Sequence, residues 1–204
     1  MCKIICVTDR KSCRGGFVGQ STRIANARPD GILLRDKDAD PADYRTLLRN
    51  VQSICALAAV PLFAHSFADI AAECGVRALH LPLPQLLGMT TEKRGQFPVL
   101  GASSHSVDDA RKAADCGASY LIAGHIFETD CKRGLPGRGL SFLRAVCEAV
   151  PLPVYAIGGI SAENIADVLR AGAAGVCVMS GLMASADPVQ TVSELRSAAN
   201  EATA

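Results

Sequence analysis

His125 stands inside the stretch YLIAGHIFETDCKRGLPGRG (120–139), where an apolar run gives way to a polar, glycine-rich loop. An imidazole titrates near neutral pH, so it can take a proton at one atom and return it at another. The loop after it supplies Thr129, Asp130, Cys131 and Lys132, donors and a cation suited to a carboxylate or a phosphate. Arg35 and Lys37 follow another apolar run, and a guanidinium can grip a carboxylate at two points. Gly158 and Gly159 in AIGGIS, with Met179 and Ser180 in VMSG, form a second group. Glycines let a backbone approach a ligand, and oriented backbone N–H groups attract anions. Together these residues point to proton transfer on a small phosphorylated anion.

Other chemistries have less to stand on. Cys131 lies beside Lys132, which favours a thiolate, but no positioned base is evident near it. The histidines show neither H-x-x-x-H spacing nor a carboxylate cluster, so no metal site is expected. The G-x-S-x-G elbow of serine hydrolases is absent.

The elements that must position these groups are short apolar runs rich in Val, Ile and Leu. They fall at 3–7, 31–35, 60–65, 78–82, 99–103, 120–127, 153–159 and 175–180. Continuous apolar runs are what strands covered on both faces require. Helical patterns lie between them. Asp40 caps one that opens with Pro41, Ser106 caps one ending at Gly117, and Ser161 to Gly172 repeats that design. The segment 83–96 reads as a loop. Alternating strand and helix gives a parallel sheet, and eight units give a single-domain α/β TIM (β/α)8 barrel over 1–204. An open doubly wound sheet is the alternative, but its G-x-G-x-x-G turn is missing after the first strand. Barrel sites lie at the C-terminal strand ends. All four histidines, His65, His80, His105 and His125, fall at or near such ends, as does Ser103.

Whole-chain properties narrow the partners. Of 204 residues, 21 are Lys or Arg and 20 Asp or Glu, giving a net charge of +1. That offers no field for nucleic acid or an anionic membrane. No apolar run approaches the ~20 residues of a membrane span, and the N-terminus lacks a signal-peptide pattern. Nine cysteines, scattered and odd in number, fit a reduced cytoplasmic chain better than a disulfide scaffold or zinc site. Cys6, Cys74, Cys116 and Cys177 stand in apolar or helical contexts, as small hydrophobes do.

The motifs GHIFETDCKRGLPGRG, LGASSHS, LLRDKD, AIGGIS and GVCVMSG, in this order along nearly the whole chain, resemble the superfamily of thiamine phosphate synthase and the thiazole tautomerase TenI. The synthase branch holds magnesium with one Asp of an Asn-Asp motif after strand three and another in a Gly-Gln-x-Asp motif after strand four. His65 and Ser66 stand at the first motif here, and Pro82, Leu83 and Gln85 at the second. The loop FETDCK, Ser103, His105 and Ser106 after strand five, and Leu81 and Pro82 match the tautomerase branch.

That resemblance implies an isomerase of thiamin biosynthesis with no cofactor. A carboxythiazole phosphate bearing an exocyclic double bond becomes its aromatic isomer, with His125 as the proton shuttle. The resemblance implies phosphate near Gly158, Gly159, Met179 and Ser180. Arg35, Lys37 and Lys132 would hold the carboxylate or ring edge, and Ser103, Thr129, Asp130 and Cys131 would line the pocket. Two alternatives stay open, thiamine phosphate synthase and a non-catalytic thiazole phosphate-binding barrel. The partner is a small molecule, and a homo-oligomer is compatible with the sequence.

Overall fold

The structure, a computed structural model, describes residues 2–36 and 38–202, without the side chain of Asp130. Eight strands follow one another: β1 (Lys3–Val7), β2 (Gly31–Leu34), β3 (Leu62–His65), β4 (Ala78–Leu81), β5 (Val99–Ser104), β6 (Tyr120–Gly124), β7 (Val154–Ile157) and β8 (Gly175–Val178). Each pairs in parallel with the next, and β8 pairs with β1 to close the barrel, Lys3 opposite Gly175. The expected TIM-type barrel is the observed fold.

The helices are α1 (Phe17–Asn26), α2 (Pro41–Ala58), α3 (Ala68–Glu73), α4 (Leu83–Gly88), α5 (Thr91–Gly95), α6 (Val107–Asp115), α7 (Gly139–Ala149), α8 (Ile165–Arg170), α9 (Ser180–Met183) and α10 (Pro188–Glu201). Asp40 accepts from the N–H groups of Ala42 and Asp43, and Ser106 accepts from Asp109 N–H, so both expected caps form. The third expectation shifts. Ser161 does not cap α8; Asn164 takes the N-cap position, and its side-chain oxygen accepts from Ser161 N–H at 3.0 Å. The segment read as a loop, 83–96, contains α4 and α5, of six and five residues.

Two apolar layers result. Alternate strand residues face outward against the helices, including Ile4, Cys6, Ile32, Leu34, Leu121, Ala123 and Val176. The others fill the barrel: Ile5, Val7, Leu33, Tyr120, Ile122 and Cys177, with Phe63 and Tyr155 packed beside them. Tyr120 meets both aromatic rings edge-on, at 5.9 and 5.7 Å between centroids. Gly101 makes room for it, because a Cβ there would lie 2.0 Å from the Tyr120 ring. Of the cysteines, Cys6 and Cys177 are buried, while Cys74 and Cys116 are half-buried.

Tyr44 joins the outer layer to the rim. Its hydroxyl donates to Leu34 O at 2.9 Å and accepts from His65 N–H at 2.8 Å, so it ties α2 to the ends of β2 and β3. Tyr44→Phe keeps the ring stacked on Phe67 but leaves both backbone groups without their partner. A loss of about 1–3 kcal/mol is expected in urea unfolding; an unchanged midpoint would show that water replaces the hydroxyl.

Candidate active site

A cavity of about 740 Å³ opens at the C-terminal ends of the strands. Of the residues expected there, Arg35, Ser103, His125, Thr129, Cys131, Lys132, Gly158, Gly159, Met179 and Ser180 all line it. Lys37 lies outside the described residues, and so does the Asp130 side chain. The sequence reading assigned no role to His65 and His105, and did not place Pro84 or Ile160 at the site; all four line the cavity. His80 does not; it is buried behind the wall.

His125 reaches the cavity differently from the way its sequence implies. The apolar run continues to Phe127, but β6 ends at Gly124, so His125 is the first loop residue rather than a strand residue. Strict alternation would group it with Leu121 and Ala123, which face outward. Ending the strand one residue earlier releases it from that pattern. Its Nε2 lies 3.3 Å from Leu135 O, and a carbonyl can only accept. In the neutral ring Nε2 therefore carries the proton and Nδ1 is the basic atom. His105 is set the opposite way. Its Nδ1 donates to Gly124 O at 2.8 Å, which leaves Nε2 as the acceptor.

Gly158 and Gly159 line the cavity and also allow a close approach within the fold. A Cβ on Gly158, at φ +104°, would fall 2.4 Å from His125 Cβ. One on Gly159, at φ +65°, would fall 2.4 Å from Glu128 O. These glycines let β7 and its loop press against the segment carrying His125. Backbone bonds bind the two together, Ile126 N–H to Ile157 O at 2.9 Å and Phe127 N–H to Gly158 O at 3.1 Å. Across the next gap α9 starts at Ser180, so its leading N–H groups precede any intrahelical acceptor.

On the far wall, Arg35 is held by its backbone. The buried Thr8 hydroxyl accepts from Arg35 N–H at 2.9 Å and donates to Arg35 O at 3.0 Å. Arg10 pairs with the neighbouring Asp36. Cys177 lines the floor, and burial pushes its thiol above the ordinary range, so it serves as a small apolar group.

His80 is fully enclosed. Burial, with a smaller contribution from His65, whose ring stacks 5.8 Å away, holds it well below the usual imidazole range. In the folded chain it stays neutral while the unfolded chain takes up a proton below about pH 6.5. The unfolded state then binds more protons, so stability falls as pH falls, at about 1.4 kcal/mol per unit for this group. Unfolding of wild type and His80→Gln between pH 7.5 and 5 checks this: the variant should lack that part of the slope.

Comparison with known proteins places the chain. It is 35% identical over 173 residues to a thiamine-phosphate synthase of Natronomonas pharaonis, covering 83% of this chain and 81% of that one. It is 30% identical over 200 residues to a thiamine-phosphate synthase of Pyrococcus abyssi, covering 95% and 93%. The solved thiamine phosphate pyrophosphorylase of Pyrococcus furiosus superposes with a TM-score of 0.84 at 26% identity, over 99% of this chain and 97% of that one. The 3-hexulose-6-phosphate synthase structure, at 19% identity and a TM-score of 0.73, shares the fold. The thiamine monophosphate synthase (TMP-TENI) model matches residues 4–182, and the chain belongs to that family.

Proposed function

We propose that the chain is a thiazole tautomerase of thiamin biosynthesis, isomerising a carboxythiazole phosphate to its aromatic form. The observation that carries this reading is His125: a rim imidazole in the cavity whose Nε2 faces Leu135 O and whose Nδ1 is left as the base. The reaction asks for little else. One proton leaves the ring carbon bearing the carboxylate and one is added to the exocyclic carbon, while aromatisation supplies the driving force. Neutral Nδ1 of His125 takes the first proton. Arg35, fixed by Thr8, faces the carboxylate, and the loops at Gly159 and Ser180 take the phosphate.

The second reading, thiamine phosphate synthase, is favoured by the names of the relatives. Against it stand the residues that would hold magnesium. His65 ends β3 and Ser66 follows it, and Pro82, Leu83 and Gln85 follow β4. The donor set does not suit a hard divalent cation, which asks for carboxylate oxygens.

One assay separates the two. Purified protein with the carboxythiazole phosphate tautomer and a chelator should produce the aromatic isomer, followed by ultraviolet absorbance. No acceleration over buffer, together with magnesium-dependent joining of a pyrimidine pyrophosphate to the thiazole phosphate, would replace the first reading by the second.

A further inference from the structure

The buried histidine behind the wall has a hydrogen-bond arrangement that reaches the cavity. His80 is 2% exposed, lies at the third position of β4, and contacts one group on each side. Its Nδ1 is 3.2 Å from Tyr120 Oη, and its Nε2 is 3.0 Å from Ser103 Oγ. Ser103 lines the cavity, whereas Tyr120 is buried in the barrel floor.

The proton positions follow by elimination. A neutral imidazole has one N–H donor and one acceptor. Among the described residues, Tyr120 Oη has no hydrogen-bond partner other than His80 Nδ1. Were Nδ1 protonated, the tyrosine oxygen would have to accept, and its own proton would be left without an acceptor in the core. An unpaired buried donor disfavours that arrangement by roughly tenfold or more. Tyr120 therefore donates to Nδ1, Nε2 carries the ring proton, and Ser103 Oγ accepts it. The Ser103 hydroxyl proton then has to leave the line of the bond, and the open side is the cavity.

We propose that His80 is a positioning residue that fixes Ser103 as a hydrogen-bond donor to the ligand. This rests on the thiazole phosphate reading for the identity of the ligand, but not for the proton positions. Ser103 would meet an acceptor of the substrate, a carboxylate oxygen or a ring nitrogen. A ligand carrying only a donor at that place would bind less well, because it would have to use the one lone pair left on the serine oxygen and turn the hydroxyl proton away from the ligand. The arrangement also accounts for a histidine kept in the core. A serine alone can donate or accept in any direction, while one that receives a fixed N–H has one lone pair committed and its proton biased toward the cavity.

The test uses the full chain and two readouts. With ¹⁵N-labelled histidine, the His80 ring should show a protonated Nε2 and an unprotonated Nδ1, unchanged from about pH 5.5 to 8, where a free imidazole would titrate. Binding of the carboxythiazole phosphate by calorimetry should weaken roughly tenfold in Ser103→Ala and severalfold in Tyr120→Phe. In a Ser103→Ala background, Tyr120→Phe should have no further effect, because its influence passes through the serine. A protonated Nδ1, a ring that charges in this window, or an equal Tyr120→Phe loss in both backgrounds would overturn the proposal. A wild-type chain that binds no carboxythiazole phosphate would defeat the functional reading. The nitrogen spectrum alone would then decide the positioning role: protonated Nε2 upholds it and protonated Nδ1 overturns it.

Discussion

His125→Asn should fold like the wild type, bind the carboxythiazole phosphate within a few-fold, and turn it over about 10²–10⁴ times more slowly. The size follows from what is removed. Asn can still offer a donor near Leu135 O, but it has no nitrogen that takes a proton near neutral pH. The contacts proposed for Arg35 and the β7 and β8 loops are left in place, so the loss should appear in kcat and leave KM nearly unchanged. The side chain is half-buried on a loop, which keeps the cost to the fold small. Turnover near the wild-type rate would remove His125 from the proton transfer. His105 would then be the next imidazole to test, since its Nε2 is the acceptor in the same cavity.

Gly158→Ala should damage both stability and rate without replacing any side chain that handles the ligand. The new methyl group would have to sit 2.4 Å from His125 Cβ and 2.8 Å from its Cα, at a φ of +104° that disfavours any residue with a Cβ. Backbone strain and overpacking together should cost about 2–5 kcal/mol. Any relief comes from pushing the His125 segment away, and a displacement near 1 Å can cost on the order of 10²-fold in rate. Gly117→Ala is the control. Its φ of +84° is equally restrictive, but nothing lies within 4 Å of the added Cβ. That variant should lose about 1–2 kcal/mol and keep its kcat. Equal outcomes for the two variants would mean that the contact with His125 has no influence on the chemistry.

The barrel was legible because its strands are short continuous apolar runs separated by amphipathic helical segments, a pattern that the order of residues along the chain reveals. Caps at Asp40 and Ser106 were legible because each side chain serves only its own helix. Ser161 misled because its hydroxyl serves the turn before α8, accepting from Glu163 N–H at 3.3 Å, and the α-helix itself starts only at Ile165. The segment 83–96 hid two helices because five or six residues complete less than two turns and show no period, and Pro82 and Pro84 read as loop signals.

At the site, the residue types were readable and the geometry was not. The run YLIAGHIF gives no sign that its strand stops at Gly124, since Ile126 is also buried. Gly158 and Gly159 announced a close approach, but not that its other side is the His125 loop. His65 ends its apolar run and His80 stands within its own, one residue before the end of β4, yet only His65 lines the cavity. What separates them is barrel packing, with Tyr120 and Ser103 arriving from β6 and β5 to meet the His80 ring.

The pairing of β1 with β8 has a consequence for how the chain reaches its native state. Lys3 and Gly175 are neighbours in space but stand at opposite ends of the sequence, and no strand can be left out of the ring. During synthesis β1 emerges before the other strands and waits, with one row of N–H and C=O groups unpaired, until β8 has been made. The proposed phosphate site, shared by the loops after β7 and β8, is among the last parts assembled. A ligand that grips this corner binds only the closed ring, so its presence would draw late intermediates forward by mass action.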